Sequence, residues 1–402
     1  MKKISFLLLG IFLFFASCKQ KQELSLGENY TVIVSLDGFR WDYPQIHGTP
    51  CLDSIGRAGV RAVMLPSYPA STFPNHYTLA TGLVPDRHGI VNNTFWDAKN
   101  NREYSMGDSL TRNNPDYYLG EPIWITAQKQ GVKTGNVYWV GSDIAIKGGF
   151  PTYHKVWADT PRLTFGERVD EVIRLLSLPD EERPKLVMAY FEEPDHNGHV
   201  YGPEAEETKQ VIAQLDSLMG SLWQRILALP IGDKVNLIVT SDHGMTEVSD
   251  ERFVCVNDYV KPEWCHKVMG ASPTSIFIKE GCRDSVLRAL RGIEHIHVWK
   301  KEEVPAELVY GSSDRLGDVI VAPDLGWQFG TEPRHLNGAH GYFPQSPDMQ
   351  VMFRACGPDF KSDYEATTFV NVDIYTLLAH LLGVMPEPTD GKWERVEDML
   401  RK

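Results

Sequence analysis

Residues 31–38 read TVIVSLDG, a run of β-branched and apolar side chains that stops at an acid and a glycine. Two later stretches repeat the pattern. KLVMAYF at 185–191 runs into EEPDHNGH, and VNLIVT at 235–240 runs into SDHG. Continuous apolar runs of this length, with no polar alternation, fit strands buried on both faces, as in a mostly parallel sheet covered by helices. In such sheets ligands bind beyond the carboxyl ends of the strands, where all three polar clusters fall. The reading predicts an α/β fold with its chemistry at one edge of the sheet.

Working outward, residues 207–228 place Val211, Ile212, Leu215, Leu218, Met219, Leu222, Trp223, Ile226 and Leu227 at helical spacing, the packing face of a crossover helix. From about 253 to 335 the composition turns irregular. SIFIKEGC and IEHIHVWKK are strand candidates there and RDSVLRALRG a short helix, so an inserted subdomain is predicted. The stretch TTFVNVDIYTLLAHLLGVMPEPTDG reads as a capped apolar helix stopped by Gly383 and prolines. The catalytic domain is placed at 29–402.

The 402 residues are 42% hydrophobic and 23% charged, the balance of a globular chain rather than a disordered one. Lys+Arg 40 against Asp+Glu 53 gives a net charge of -13, which argues against a nucleic-acid partner held by a basic face. An acidic protein still binds phosphate when metals supply the positive charge. The opening MKKISFLLLGIFLFFASC reads as a signal peptide over 1–17, too short for a comfortable span. Its FASC end resembles a lipobox, with Cys18 lipidated and 18–28 a polar tether. An exported, membrane-anchored lipoprotein, periplasmic or at the cell surface, is therefore expected. Of the five other cysteines, Cys255 and Cys265 are the candidates for a disulfide.

Singly, each acid or histidine in the polar clusters has an ordinary explanation, such as a helix cap at Asp37 or a turn at DHGM. Together Asp37, Asp195, His199, Asp242, His243 and His340 offer donors for two divalent metals with positions left for substrate. Mixed nitrogen and oxygen donors without thiolate suit Zn2+ best, ahead of manganese or iron. The segment SYPASTFPNHYTLATG, 67–82, sets Thr72 at a helix start. Thr72 is there either an ordinary N-cap or a nucleophile activated by metal and by the free N–H groups of the helix end.

VSLDGFRWDY, PSYPASTFPNHYTLATGLVPDRHGIVNNTFWD, YFEEPDHNGHVYGP, TSDHGM and NGAHGY, in that order, resemble the nucleotide pyrophosphatase/phosphodiesterase family of the alkaline phosphatase superfamily. The resemblance implies an alkaline-phosphatase-like three-layer α/β/α sandwich. It implies that Thr72 is phosphorylated in turnover, that Asp37, Thr72, Asp242 and His243 hold one zinc, and that Asp195, His199 and His340 hold the second. Asn93 in GIVNN matches the family's phosphate-contacting Asn, although Asn92 is adjacent. Phe73, Tyr190 and, more weakly, Trp157 match positions that flank a nucleobase, with core packing as the alternative for each. His76, His88 and His196 are read as supporting or solvent-facing.

The expected activity is hydrolysis of a nucleoside 5'-phosphodiester or pyrophosphate bond, releasing the 5'-monophosphate. No Lys or Arg adjoins Thr72, Arg87 being the one within its motif, which disfavours a dianionic monoester. Two other functions fit the same motifs: a phosphodiesterase for choline or other phospholipid head groups, revealed by an acidic and aromatic cage in the insertion, and a non-catalytic lipid-anchored binding protein.

Overall fold

The computed structural model describes residues 27–401. The signal peptide and Cys18 lie outside them. Among the described residues no helix is long and apolar enough to cross a membrane.

The three apolar runs form adjacent strands. Tyr30–Leu36 lies between Leu186–Phe191 and Val235–Thr240, parallel to both, with Val34 level with Ala189 on one side and Val239 on the other. Their tails, starting at Asp37, Glu192 and Ser241, therefore leave the sheet side by side. The nine-stranded sheet continues on one side through Thr134–Val137 to Tyr153–Lys155. On the other it runs through Val351–Cys356 to Val60–Leu65, beside which lie Tyr364–Glu365 and Phe369–Val370. Only Val351–Cys356 runs against its neighbours, so the sheet is mostly parallel, as predicted.

Alternation along each strand feeds two cores. Ile33, Met188 and Ile238 face the helices Thr72–Thr81, Ile123–Lys129 and Asp373–Leu382. Val32, Val34, Val187, Ala189, Leu237 and Val239 face Pro50–Ala58, Phe165–Leu176 and Glu206–Leu227. Each fully buried aliphatic side chain contributes about 1.5–3 kcal/mol, which is why a strand apolar on both faces belongs in the middle of three layers.

A smaller antiparallel sheet follows, in the order Cys265–Met269, Thr274–Ile278, Val319–Pro323, Ile296–Lys300, backed by the helix Arg283–Leu290. It has its own core around Ile276, Val286, Leu290 and Val321. The loop between its first two strands reaches back to the main sheet. A Cβ on Gly341, which has φ 103°, would lie 2.2 Å from the Ser272 carbonyl, so only glycine lets the loop settle beside His340. The expected Cys255–Cys265 disulfide is absent: both thiols are free, and Cys255 Sγ faces the Thr331 carbonyl at 3.7 Å.

Candidate active site

Asp37, Asp242 and His243 follow directly from the aligned strand ends. Asp195 begins the short helix Asp195–Tyr201, and His199 stands one turn later on it. Gly38 makes this convergence possible. Its φ is 69°, and a Cβ there would come within 3.0 Å of the Asp195 backbone and Cβ. The Asp195 N–H donates to the Asp37 carbonyl at 3.0 Å, locking the two segments together.

Each acid of the first cluster turns one oxygen to donors of the protein and the other to the centre, where Asp242 Oδ2 also has His76 Nδ1 at 3.2 Å. Asp37 Oδ2 accepts from the Tyr190 hydroxyl at 2.6 Å. Asp242 Oδ1 accepts from the Gly38 N–H at 3.2 Å and from Ser241 Oγ at 3.2 Å. Asp37 Oδ1, Asp242 Oδ2 and Asp195 Oδ1 are buried with no hydrogen-bond partner. Around His243 Nε2 stand Thr72 Oγ1 at 3.1 Å, Asp242 Oδ2 at 3.2 Å and Asp37 Oδ1 at 3.3 Å. Donors about 2.0 Å from one tetrahedral zinc stand roughly 3.3 Å apart, so this set fits that ion. Asp195 Oδ1 lies 3.4 Å from His199 Nε2 and 3.7 Å from His340 Nε2, a second set beside the first.

The three imidazoles are oriented alike. Nδ1 of His199, His243 and His340 faces the carbonyl of Gly338, Gly244 and Ala70 at 2.7, 2.8 and 3.1 Å. A carbonyl there fixes the proton on Nδ1 and turns the Nε2 lone pair to the centre, the usual second layer of a metal site. Burial, then His243, His199 and Arg334, hold His340 well below the ordinary imidazole pKa, so it is neutral. Burial, then Asp242 and Asp195, push the Asp37 carboxyl well above its range. Burial works to raise Asp242 too, yet His243 and His76 hold it below the usual carboxylate range. Three acids crowded beside the neutral His340 are stabilised by positive charge from outside the chain.

Thr72 is the first residue of its helix, and Ser71 holds the N-cap position, so Thr72 is not the cap. The helix end offers fewer free donors than expected. The Phe73 N–H is taken by Asn93 Oδ1 at 2.9 Å and Pro74 has none, which leaves the Thr72 N–H. The same bond leaves Asn93 Nδ2 free beside Thr72. Asn92 is spent elsewhere: its Oδ1 accepts from the Asn93 N–H and its Nδ2 donates to the Pro273 carbonyl in the insertion. His76 lies beneath the site, bonded to the Thr72 carbonyl and Ser35 Oγ. His196 is exposed, and Arg87 pairs with Asp390 at the surface.

A cavity of about 710 Å³ opens from Thr72 and Asp37, with Phe73, Tyr138, Trp157, Phe165 and Tyr190 in its wall. Trp157 stands edge-on to Tyr138 and carries the Arg162 guanidinium 4.4 Å from its ring. Tyr190 is nearly buried, and its hydroxyl is committed to Asp37. Asp143 and Glu192 also line the cavity without having been singled out in the sequence. Their signal was weak: Asp143 accepts from the Trp157 N–H and Glu192 pairs with buried Arg168, contacts that link distant segments.

A family model described as type I phosphodiesterase / nucleotide pyrophosphatase matches residues 31–343. The chain belongs to this family. Membership agrees with the alkaline-phosphatase-like α/β fold. It is 34% identical to human ectonucleotide pyrophosphatase/phosphodiesterase family member 1 over 389 residues, 92% of this chain and 42% of that protein. It is 35% identical to rat family member 7 over 387 residues, 92% of this chain and 87% of that protein. The chain thus spans less than half of member 1 and most of member 7. The structure of murine family member 5 superposes with TM-score 0.87 at 34% identity, covering 92% of this chain and 100% of that one. An inactive threonine-to-alanine variant of the murine protein in complex with AMP gives 0.88 at 34% identity, covering 93% and 100%.

Proposed function

We propose that this chain hydrolyses nucleoside 5'-phosphodiester or pyrophosphate bonds and releases the nucleoside 5'-monophosphate. The observation that carries the reading is Thr72 Oγ1 3.1 Å from His243 Nε2, the nitrogen that Asp37 Oδ1 and Asp242 Oδ2 also approach, at the mouth of an aromatic cavity. The AMP complex of the murine relative supports a nucleotide in that cavity. Asp37, Thr72, Asp242 and His243 would hold one divalent cation and Asp195, His199 and His340 another. Bound there, such ions lower the pKa of a hydroxyl and neutralise phosphoryl oxygens, and the donor set favours zinc.

The chain's own residues do the rest. Thr72 Oγ, its proton lost to solvent, forms a bond to phosphorus as the bond to the leaving-group oxygen breaks and that oxygen takes the electron pair. Water then adds to the phosphothreonine, restores the hydroxyl and frees the 5'-monophosphate. Asn93 Nδ2 donates to a non-bridging oxygen as its charge grows, a contact worth about 3–4 kcal/mol in comparable sites. Phe73 and Trp157 offer flat faces for a base. Tyr190 orients Asp37. Among the described residues, the insertion contributes Gly270, Ala271 and Ser272 to the cavity wall beside Thr72, none of them aromatic or acidic, which supports a nucleotide over a choline head group. Residues 1–18 support export with an anchor at Cys18.

The test is kcat/KM on nitrophenyl thymidine 5'-phosphate, nitrophenyl phosphorylcholine and nitrophenyl phosphate with zinc-loaded protein. The thymidine ester should lead, and Thr72→Ala should lose turnover by about 10⁴-fold or more while retaining nucleotide binding. A lead for the choline ester, or full activity in Thr72→Ala, would overturn the reading.

A further inference from the structure

Three rings in the wall of the aromatic cavity come from three separate segments. Tyr138 follows the strand Thr134–Val137, Trp157 follows Tyr153–Lys155, and Phe165 opens the helix Phe165–Leu176. Ordering such side chains only when a ligand arrives weakens binding, so a wall set in advance binds better.

A buried arginine sets this one. Arg168, on the helix that Phe165 opens, is 2% exposed. Its guanidinium lies 4.9 Å from the centre of the Tyr138 ring, 5.0 Å from that of Phe165 and 6.0 Å from that of Trp157. Phe191, a core residue, adds a fourth ring at 5.6 Å. Hydrogen bonds hold the cation in place. Nε donates to the Leu163 carbonyl at 3.2 Å, Nη1 to the Tyr190 carbonyl at 2.9 Å and to Glu192, and Nη2 to the other Glu192 oxygen at 3.0 Å. Leu163 is held again through its N–H, which donates to the Tyr138 hydroxyl at 2.9 Å.

Filling this space does not call for a charge. A buried cation is stable only when its donors are matched, so an apolar side chain would be the simpler filler. What the guanidinium adds is direction, because it attracts ring faces while its fork locks onto one carboxylate. Tyr190 and Glu192 stand at the end of the strand whose tail carries Asp195, so the same side chain ties the rings to the metal-ligand end of the sheet.

We propose that Arg168 is a positioning residue for the nucleoside: it holds Tyr138, Trp157 and Phe165 in one arrangement before substrate arrives, and through these rings sets the preference for esters that carry a base. This rests on the nucleotide reading above and deepens it, from the reacting bond to what makes the wall rigid.

The experiment measures kcat and KM for nitrophenyl thymidine 5'-phosphate and for nitrophenyl methyl phosphate in zinc-loaded wild-type and Arg168→Lys protein. The methyl ester has the same leaving group and no base, and lysine keeps the charge but loses the fork. In Arg168→Lys the KM for the thymidine ester should rise about tenfold with kcat within about twofold, a part of what stacking a base on an aromatic side chain brings. The methyl ester should keep its kcat/KM within about twofold, a split that loss of folding or of metal would not produce. Phe191→Leu, which loosens the cage without removing a hydrogen bond, is the second variant and should lower the thymidine-to-methyl ratio of kcat/KM about threefold or more. Equal losses on the two esters, or an unchanged ratio in folded Arg168→Lys, would overturn the Arg168 assignment alone. Where Arg168→Lys does not fold, an unchanged ratio in Phe191→Leu would do the same. A wild-type protein with no lead for the thymidine ester over the methyl ester would overturn the nucleotide reading and this one with it.

Discussion

At the scale of single residues, the site is built by division of labour within side chains. Asp37 uses Oδ2 to hold Tyr190 and leaves Oδ1 bare, and Asn93 uses Oδ1 to hold the helix and leaves Nδ2 free. Tyr190 matches a base-flanking position in sequence, yet its buried hydroxyl makes it a positioning residue for Asp37. Removing that hydroxyl should therefore act on the metal before it acts on the nucleotide. In Tyr190→Phe the affinity for zinc should drop about 10- to 100-fold, as for other outer-layer partners of metal ligands. Saturating zinc should restore kcat while the nucleotide KM stays near wild type. Competition with a chelating dye and kinetics across zinc concentrations measure both. A raised KM at saturating zinc would instead return Tyr190 to the base.

At the scale of elements, the helix carrying Thr72 is held from outside by a neutral histidine. His88 Nδ1 accepts from the Ile90 N–H at 3.2 Å, and its Nε2 lies 3.0 Å from both the Pro74 carbonyl and Thr78 Oγ1. Donation from Nε2 to Pro74 completes a ring with no room for a second proton. Burial pushes His88 down to about 3 from its usual value. The folded pKa is depressed for a base, so between about pH 6.5 and 3 the unfolded chain holds the extra proton and stability falls as pH falls. From pH 7 to pH 5 the loss through this one group is about 2 kcal/mol. His88→Gln should be less stable at pH 7, and the gap to wild type should narrow by about that amount at pH 5. Urea unfolding at the two pH values gives the comparison, and an unchanged gap would show that His88 does not titrate there.

The elements also mark where sequence is informative. The three central strands are legible because burial on both faces erases alternation, and the polar residues at their ends carry most of the metal ligands. The helix 206–227 is legible from its apolar stripe. Val351–Cys356 was not, because VMFRAC breaks its apolar run with Arg354 and reaches the sheet through pairing with the distant strands Val60–Leu65 and Val235–Thr240. Arg334 went unnoticed for a related reason. Its loop has no periodicity, and only the fold brings it into the wall of a cavity that Thr72 also lines.

At the scale of the whole molecule, the smaller sheet grips the segment that carries Asn93. Tyr310 donates to the Val91 carbonyl, the Ser312 N–H and hydroxyl reach Asp86, and Pro273 accepts from Asn92. Arg315 is the central tie. Its guanidinium donates to the carbonyls of Gly89 and Tyr117 at 2.6 Å each and of Asp116 at 3.1 Å, and lies over the Tyr117 ring at 5.1 Å. Arg315→Met would keep much of the bulk and leave three carbonyls without their donor, at a cost of about 1–3 kcal/mol for each that stays buried. Because Asn93 hangs from this segment and in turn holds the Phe73 N–H, loosening the grip should misplace Asn93 Nδ2 while the strand-end ligands stay fixed. The expected result is a lower melting temperature and a kcat reduced about tenfold or more, with zinc content unchanged and KM little affected. A stopped assay under saturating substrate, beside metal analysis of the same preparation, reads both. If kcat held at the wild-type value in a destabilised Arg315→Met protein, the insertion would be a prop for the fold and not for the chemistry. Asn93 would then owe its position to the helix of Thr72 alone.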